Sequence, residues 1–142
     1  MHNEEKDNYR YGIRLLIIHP NIDPAVISSK LQLRECMRWM AGTKRQTPTG
    51  TPLPGIHSDT RWGYSFEVEE NRFFFNDVKN FLKKLEPHKE FILELTDTGG
   101  SVSIIVNLPG DINIGDTFEW KDLELLISLR IDLGVEVFPH FS

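Results

Sequence analysis

Residues 61–68, which read Arg-Trp-Gly-Tyr-Ser-Phe-Glu-Val, decide the fold of this chain. Every second residue is aromatic or β-branched, in the order Trp62, Tyr64, Phe66 and Val68. A two-residue period of this kind predicts a β-strand with one buried face. Three aromatic side chains on one face would form a sticky surface if they stayed exposed, so we expect helices to cover them.

The segment that follows this strand supplies one such cover. Residues 77–86 place Val78, Phe81 and Leu85 on one side at helical spacing, with lysines opposite. Asn76 precedes them and is a favourable N-cap residue. The pattern predicts an amphipathic helix that packs on the aromatic face of the strand.

Two further strands and a helix are predicted downstream. Residues 91–96 and 102–108 alternate apolar and polar side chains around Gly99-Gly100, which is typical of a β-hairpin. Residues 118–132 predict a helix, with a covered side formed by Trp120, Leu123, Leu126, Ile127 and Arg130.

The last strand completes the arrangement. Gly134 is expected to end the preceding helix in the left-handed conformation, and residues 135–138 then form a strand. From residue 61 onward the order is therefore β-α-β-β-α-β. This order predicts an α+β fold with ferredoxin-like split β-α-β layers, in which a mainly antiparallel sheet carries the helices on one face.

The N-terminal part is expected to add an extra βα unit to this core. Residues 9–18 alternate as a strand, and Asp23-Pro24 offers an N-cap followed by proline at the first helical position. Residues 33–60 have no clean period and contain several prolines and glycines. We interpret them as a long ordered loop.

Composition bounds the class of protein. The 142 residues are 39% hydrophobic and 26% charged, which predicts a single α+β domain over residues 9–142 behind a flexible leader at residues 1–8. The formal net charge of -5 argues against a nucleic-acid partner. Because the N-terminus lacks an apolar core and no apolar run approaches the ~18 residues that span a bilayer, we expect a cytoplasmic protein with no membrane partner.

Segments along most of the chain point to a family. They are DPAVISSKLQL at 23–33, the basic stretch with Trp39 and Gly42, Arg61-Trp62, FLKKLEPHK at 81–89 and LLISLRIDLGVEVFPHF at 125–141. In this order they resemble the bacterial domain-of-unknown-function family 4279. Gln32 stands where the family usually has the glycine of Leu-Gly-Leu. Because the family has no assigned mechanism, the resemblance implies a fold and no catalytic residue.

The sequence offers little for catalysis or metal binding. The five histidines are dispersed, and the chain has one cysteine, so we expect no metal and no cofactor. The triplet His57-Ser58-Asp59 combines a base with a carboxylate. Flexible loops rarely hold catalytic geometry, so we expect no catalytic residue there.

Charge is distributed unevenly, which indicates two candidate docking surfaces. One is basic and aromatic, with the candidate partner-binding residues Arg34, Arg38, Trp39, Lys44, Arg45, His57, Asp59 and Arg61. The other is an acidic face, with the residues Asp116, Glu119, Asp122 and Glu124. Either surface suits a partner of opposite charge.

These observations favour a non-catalytic cytoplasmic protein-binding module. Its most concrete form is an immunity-type protein that neutralises a bacterial toxin, so the expected partner is another protein, either a toxin or a second copy of the chain. Two alternatives stay open. One is a small hydrolase or ligand-binding enzyme that uses the 39–60 loop, and the other is a structural homodimer.

Overall fold

The structure is a computed structural model, and it describes residues 11–68 and 73–138. The predicted leader at residues 1–8 lies outside the described residues. The elements in chain order are β1 (Tyr11–His19), α1 (Pro24–Leu31), β2 (Met37–Trp39), β3 (Lys44–Gln46), β4 (Pro52–Ile56), β5 (Thr60–Val68), α2 (Phe74–Leu85), a 3-10 turn (Glu86–His88), α3 (Lys89–Asp97), β6 (Ser101–Pro109), α4 (Trp120–Leu129) and β7 (Ile131–Phe138).

A five-stranded, mostly antiparallel sheet organises the molecule. Its strand order is β2-β5-β1-β6-β7, and β3 and β4 form a separate two-stranded ribbon. Strand β1 is central and antiparallel to both neighbours, whereas β6 and β7 are parallel. Strands β2 and β7 are therefore the two edges of the sheet.

The core lies on one face of this sheet. Leu15 pairs with Tyr64 of β5 and with Ile104 of β6, so the three side chains form one row across the sheet. Buried side chains of every helix join the same cluster, including Ile27, Phe81, Ile92 and Leu129. The helices thus share one face, and the opposite face, here called the open face, has no helix of the described residues on it.

The predicted aromatic strand is confirmed as β5. Tyr64 and Phe66 contact the Phe81 ring of α2, with ring centroids 5.8 and 5.5 Å apart. A second link joins α2 to β1, because the Tyr11 hydroxyl donates a hydrogen bond to Asp77 in the first turn of α2. Burial, followed by this bond to Asp77, raises the pKa of Tyr11 far above its usual range.

The predicted hairpin at residues 91–108 is wrong, because its first half is helix α3. Ile92 and Leu95 are buried one helical turn apart. Gly99 and Gly100 end α3: Gly99 has φ +97°, and the Gly100 N–H donates to the Leu95 carbonyl at 2.8 Å. This is a helix C-terminal motif rather than a hairpin turn. The order from β5 onward is β-α-α-β-α-β, so the predicted β-α-β-β-α-β order is also wrong.

The predicted long loop at residues 33–60 is wrong as well. It contains β2, β3 and β4, and of these only β2 joins the main sheet. The prolines of β4 fit because a two-stranded ribbon leaves one side of each strand unpaired. Helix α2 begins at Phe74 rather than at residue 77, so Asn76 is not its cap. Asp116, from a distant segment, instead accepts a hydrogen bond from the Phe75 N–H at 3.0 Å.

The side of helix α4 that packs against the core differs from the predicted side. Leu126 and Leu129 are buried, whereas Trp120 and Ile127 are 80% and 74% exposed. The helix ends at Leu129, and Arg130 is the left-handed residue, with φ +54°. Gly134 lies within β7, so its predicted role as the helix terminator is wrong.

Gln32 occupies a left-handed backbone conformation, which favours glycine. It follows α1 with φ +56° and ψ +40°. We expect Gln32→Gly to raise the free energy of unfolding by about 0.5 to 1 kcal/mol, because glycine removes the left-handed penalty but adds freedom to the unfolded chain. Urea denaturation measures the change.

Gln46 provides the matched control, since it is an exposed glutamine in β3. Gln46→Gly should leave stability unchanged or lower it, because glycine weakens an extended strand. A loss of stability in Gln32→Gly would contradict the assigned backbone conformation.

Candidate functional site

Strand β2 brings Trp39 next to a residue 22 positions away in the chain. Trp39 pairs with Arg61 in the antiparallel register of β2 and β5, on the open face of the sheet. The Arg61 guanidinium carbon lies 5.9 Å from the centroid of the Trp39 ring, which is a cation–π distance. Arg61 Nε also donates to Asp59 Oδ1 at 3.3 Å.

His57 directly follows β4 at the base of the ribbon and completes this arrangement. Its ring stacks on Trp39, with centroids 4.7 Å apart and an interplanar angle of 11°. Two main-chain hydrogen bonds hold His57 in place: its carbonyl accepts from the Gly42 N–H at 2.8 Å, and its N–H donates to the Thr43 carbonyl at 2.9 Å. The base of the ribbon is therefore ordered, unlike a flexible loop.

The ribbon of β3 and β4 extends outward from this base. All residues of both strands are exposed, including Lys44, Arg45 and Ile56. Hydrogen bonds close its tip, since the Thr47 N–H donates to the Thr51 carbonyl at 2.8 Å and Thr47 Oγ1 accepts from the Thr51 N–H at 2.9 Å. The ribbon thus presents both its faces to solvent in a defined shape.

A shallow depression of about 270 Å³ lies where the ribbon meets the sheet edge. We call it the Trp39 hollow, and its lining residues are Trp39, Arg45, Ile56, His57, Ser58, Asp59 and Arg61. Five of the predicted partner-binding residues thus come together. Lys44 lies on the ribbon beside them.

Arg34 and Arg38 do not line the Trp39 hollow. Arg38 pairs with Trp62, which places it on the helix-covered side of the sheet, and its guanidinium lies 3.5 Å from Glu35. Arg34 is exposed in the segment between α1 and β2. Arg38 therefore lies on the face of β2 opposite to Trp39.

Glu35 anchors this segment to the core. Its carboxylate accepts a 2.6 Å hydrogen bond from the Ser28 hydroxyl, and Ser28 Oγ accepts one from Trp62 Nε1 at 2.9 Å. The Ser28 bond is the largest cause that lowers the pKa of Glu35, and a main-chain hydrogen bond and the Arg38 and Arg34 charges add to it. Glu35 therefore stays ionised and holds the approach to β2 against α1.

The triplet His57-Ser58-Asp59 does not form a base–carboxylate pair in this geometry. The His57 ring is used in the stack on Trp39, and Asp59 accepts from Arg61. In a Ser-His-Asp arrangement the carboxylate accepts a hydrogen bond from the imidazole and orients it. The arrangement instead presents an aromatic surface edged by cations.

The predicted acidic face is divided by lysines. Asp116 is directed at the N-terminus of α2, and Asp122 lies 3.9 Å from Lys79. Glu119 lies 3.5 Å from Lys121. A neighbouring groove places Glu124 among Lys79, Lys83, Lys89 and Lys121. These carboxylates therefore sit in mixed-charge surroundings rather than on one acidic surface.

Sequence reasoning missed the apolar residues of the ribbon. Leu53 is partly exposed and Ile56 is 60% exposed, beside the Trp39 hollow. The signal that could have found them is Thr-Pro-Thr-Gly at residues 47–50, a turn sequence that joins two short segments. Pro48 and Gly50 count against a strand interior, but they suit a turn between two strands.

Within residues 11–68 and 73–138, no group of three or more His, Cys, Asp or Glu side chains is placed to hold a metal ion. No helix in the same part of the chain is long and apolar enough to cross a membrane.

The geometry defines a small mixed α+β protein with a sheet covered on one face and an exposed ribbon at one edge. The chain belongs to the family described as "Domain of unknown function (DUF4279)", whose model matches residues 8–136. Neither a curated protein nor a solved structure matches the chain.

Proposed function

We propose that the protein is a non-catalytic binding module that holds another protein on the Trp39 hollow and the ribbon. Its most concrete form is an immunity-type protein that neutralises a toxin by covering the toxin's active site. The observation that carries the proposal is the stack of His57, Trp39 and Arg61 at the base of an exposed ribbon.

The stack has the properties of a protein-binding hot spot. Tryptophan and arginine are the residues most enriched at such positions, and rigid side chains lose little entropy on binding. Both His57 and Arg61 contact the Trp39 ring, so the ring is oriented before a partner arrives. Ile56 adds exposed apolar surface at the rim.

The charges indicate the chemistry of the partner. Lys44, Arg45 and Arg61 surround the hollow, with Asp59 as the carboxylate beside them. Such a surface attracts an acidic patch, which speeds encounter and selects orientation. We therefore expect a partner that presents carboxylates around an apolar or aromatic centre.

The first experiment uses the purified product of the adjacent coding sequence as the probe. Isothermal titration calorimetry should give a stable complex with the wild-type chain. Trp39→Ala should weaken it more than tenfold, because truncated hot-spot residues cost about 2 kcal/mol or more and about 1.4 kcal/mol corresponds to tenfold. Arg45→Glu should weaken it most strongly at low salt, because the lost attraction is screened by ions.

Lys84→Glu is the charge-matched control, because Lys84 is an exposed cation on α2 and does not line the hollow. It should bind as the wild type does. Equal affinity of the wild type and Trp39→Ala would overturn the proposed surface. A lack of both complex formation and protection in cells that express the probe would overturn the immunity form of the proposal.

A further inference from the structure

Strand β7 lies at one edge of the sheet that the described residues form. It pairs in parallel with β6 on one side, and no strand of the described residues pairs with its other side. Its length is eight residues, from Ile131 to Phe138. A long edge strand offers a row of main-chain N–H and C=O groups to any extended segment that meets it.

Exposed apolar side chains on α4 flank this edge. Trp120, Leu123 and Ile127 follow one another at helical spacing and are exposed. Lys121, Leu125 and Ser128 lie on the opposite side of the helix, in the groove beside α2 and α3. At 100° per residue, the apolar stripe therefore points away from those helices, toward the free side of β7.

Strand β7 continues the apolar surface. Val135 and Val137 lie in register with Val106 and Leu108 of the core, yet they are 50% and 60% exposed. Arg130 alone joins α4 to β7, so the two run in opposite directions. At about 1.5 Å per helical residue and 3.3 Å per strand residue, Trp120 lies level with the middle of β7.

We call the surface formed by Trp120, Leu123, Ile127, Val135 and Val137 the edge patch. A monomer usually leaves at most about 300 to 600 Å² of contiguous apolar surface exposed. A stable interface takes roughly 800 Å² from each partner, which five large side chains and an eight-residue strand edge can supply together.

We propose that the edge patch binds a second copy of the chain, with the two β7 strands antiparallel. A second copy fits this surface because the edge patch is complementary to itself under a two-fold rotation. A two-fold axis at Val135 places Val135 opposite Val135 of the second copy and Leu133 opposite Val137 of the second copy, all on the helix-covered side. The two α4 stripes then face each other across the joined strands. This inference is independent of the proposed function.

Repulsion between like charges favours this register over the two registers with the axis at an adjacent residue. With the axis at Val135, Glu136 lies opposite Gly134 of the second copy, which leaves room for the ion pair of Glu136 with Arg14 at 2.8 Å. An axis at Gly134 would set Asp132 against Glu136, and an axis at Glu136 would set that residue against itself. Like charges directly opposite each other destabilise an antiparallel pair.

Sedimentation velocity on the full chain tests whether it forms a dimer. We expect twice the chain mass of 16.5 kDa for the wild type. Ile127→Asp and Val135→Lys should each give the mass of one chain, with an unchanged far-ultraviolet circular dichroism spectrum. Ile56→Asp is the control, since Ile56 is an apolar residue that is 60% exposed, between Val135 and Ile127 in exposure, but lies on the ribbon near the opposite edge of the sheet. It should keep the double mass.

Cross-linking tests the register. In a Cys36→Ser background, Val135→Cys should form a disulfide between copies on mild oxidation by copper phenanthroline, because residues directly opposite have Cβ atoms about 4.5 to 5.5 Å apart. Val137→Cys should not, because its two copies would lie about 13 Å apart along the strands.

Four results would overturn the inference. They are a single-chain mass of the wild type at every concentration, a double mass that survives both Ile127→Asp and Val135→Lys, loss of the dimer in Ile56→Asp alone, and cross-linking at Val137 in place of Val135. A single-chain mass would leave the edge patch to a segment of another protein. None of these four results would bear on partner binding by the Trp39 hollow.

Discussion

Trp62→Ala is expected to lower the free energy of unfolding by about 3 to 5 kcal/mol, as large aromatic truncations in cores do. Trp62 is 0% exposed and lies in β5, which is paired on both sides at this position, with Ile17 of β1 and Arg38 of β2. Alanine would leave a cavity that flanking strands and α1 cannot fill by small movements. It would also remove the hydrogen bond from Nε1 to Ser28. Urea unfolding measures the loss.

Trp120→Ala is the matched control, because Trp120 is the same residue type on the surface of α4. If it is studied at a concentration where the chain is monomeric, its effect should stay within about 0.5 kcal/mol. A loss below 1 kcal/mol for Trp62→Ala would contradict the enclosed position of Trp62. Similar losses for the two variants would show that burial does not explain either.

Gly100→Ala is expected to lower the free energy of unfolding by about 2 to 3 kcal/mol through overpacking. A Cβ atom at this position would lie 2.8 Å from the Leu95 carbonyl oxygen and 2.9 Å from both the Ile18 carbonyl oxygen and His19 Cδ2. Two of these atoms are main chain, so relief requires α3 and β1 to separate. The melting temperature and urea midpoint should both fall.

The clash would also disturb a buried histidine. His19 Nδ1 accepts hydrogen bonds from the Asn21 and Ile22 N–H groups at 3.1 and 3.0 Å, so the proton is on Nε2, which donates to Thr98 Oγ1. Burial lowers the pKa of His19, which keeps the ring neutral. Gly100 therefore packs against the residue that fixes the turn from β1 into α1.

Gly115→Ala is the control for Gly100→Ala. No atom lies within 4 Å of the position its Cβ would take, so the substitution should change stability by no more than about 0.5 kcal/mol. An unchanged melting temperature in Gly100→Ala would contradict the close packing of α3 on β1.

Sequence patterns predicted the elements whose local and tertiary preferences agree. Strand β5 and helix α1 were predictable because each pattern is compatible with one type of secondary structure. The aromatic period of β5 fits only a strand, and the Asp23-Pro24 start of α1 fits only a helix. The pattern of residues 91–96 is compatible with two types of secondary structure. Ile92 and Leu95 suit a helix, while Phe91, Leu93 and Leu95 suit a strand, and the two glycines at 99 and 100 suit either a hairpin turn or a helix end.

Helix α4 shows a different kind of error. Its best apolar period includes Trp120, Leu123 and Ile127, which face solvent, whereas the buried side includes Leu126 and Leu129. Periodicity finds an apolar stripe but does not say whether the core or another surface covers it. The prediction of a loop at 33–60 is wrong because Pro52, Pro54 and Gly55 count against a central strand but not against an exposed ribbon.

The candidate site was predictable as a set of residues but not as a geometry. Trp39 and Arg61 come together only through the register of β2 with β5, and His57 reaches Trp39 only because the ribbon folds back on its own base. These are long-range pairings that leave no local pattern. For the same reason Arg34 and Arg38, which share the basic segment, fall outside the Trp39 hollow.

The strand order places two different surfaces at opposite edges of one sheet: β2 with the ribbon at one, and β7 at the other. Two copies joined at β7 would hold their ribbons at the ends of a ten-stranded sheet, roughly 45 Å apart. A partner that is itself dimeric, or is displayed in many copies, could then engage both ribbons at once. Since the second contact forms at a high effective concentration, avidity could exceed the affinity of one ribbon by about 10²- to 10⁴-fold.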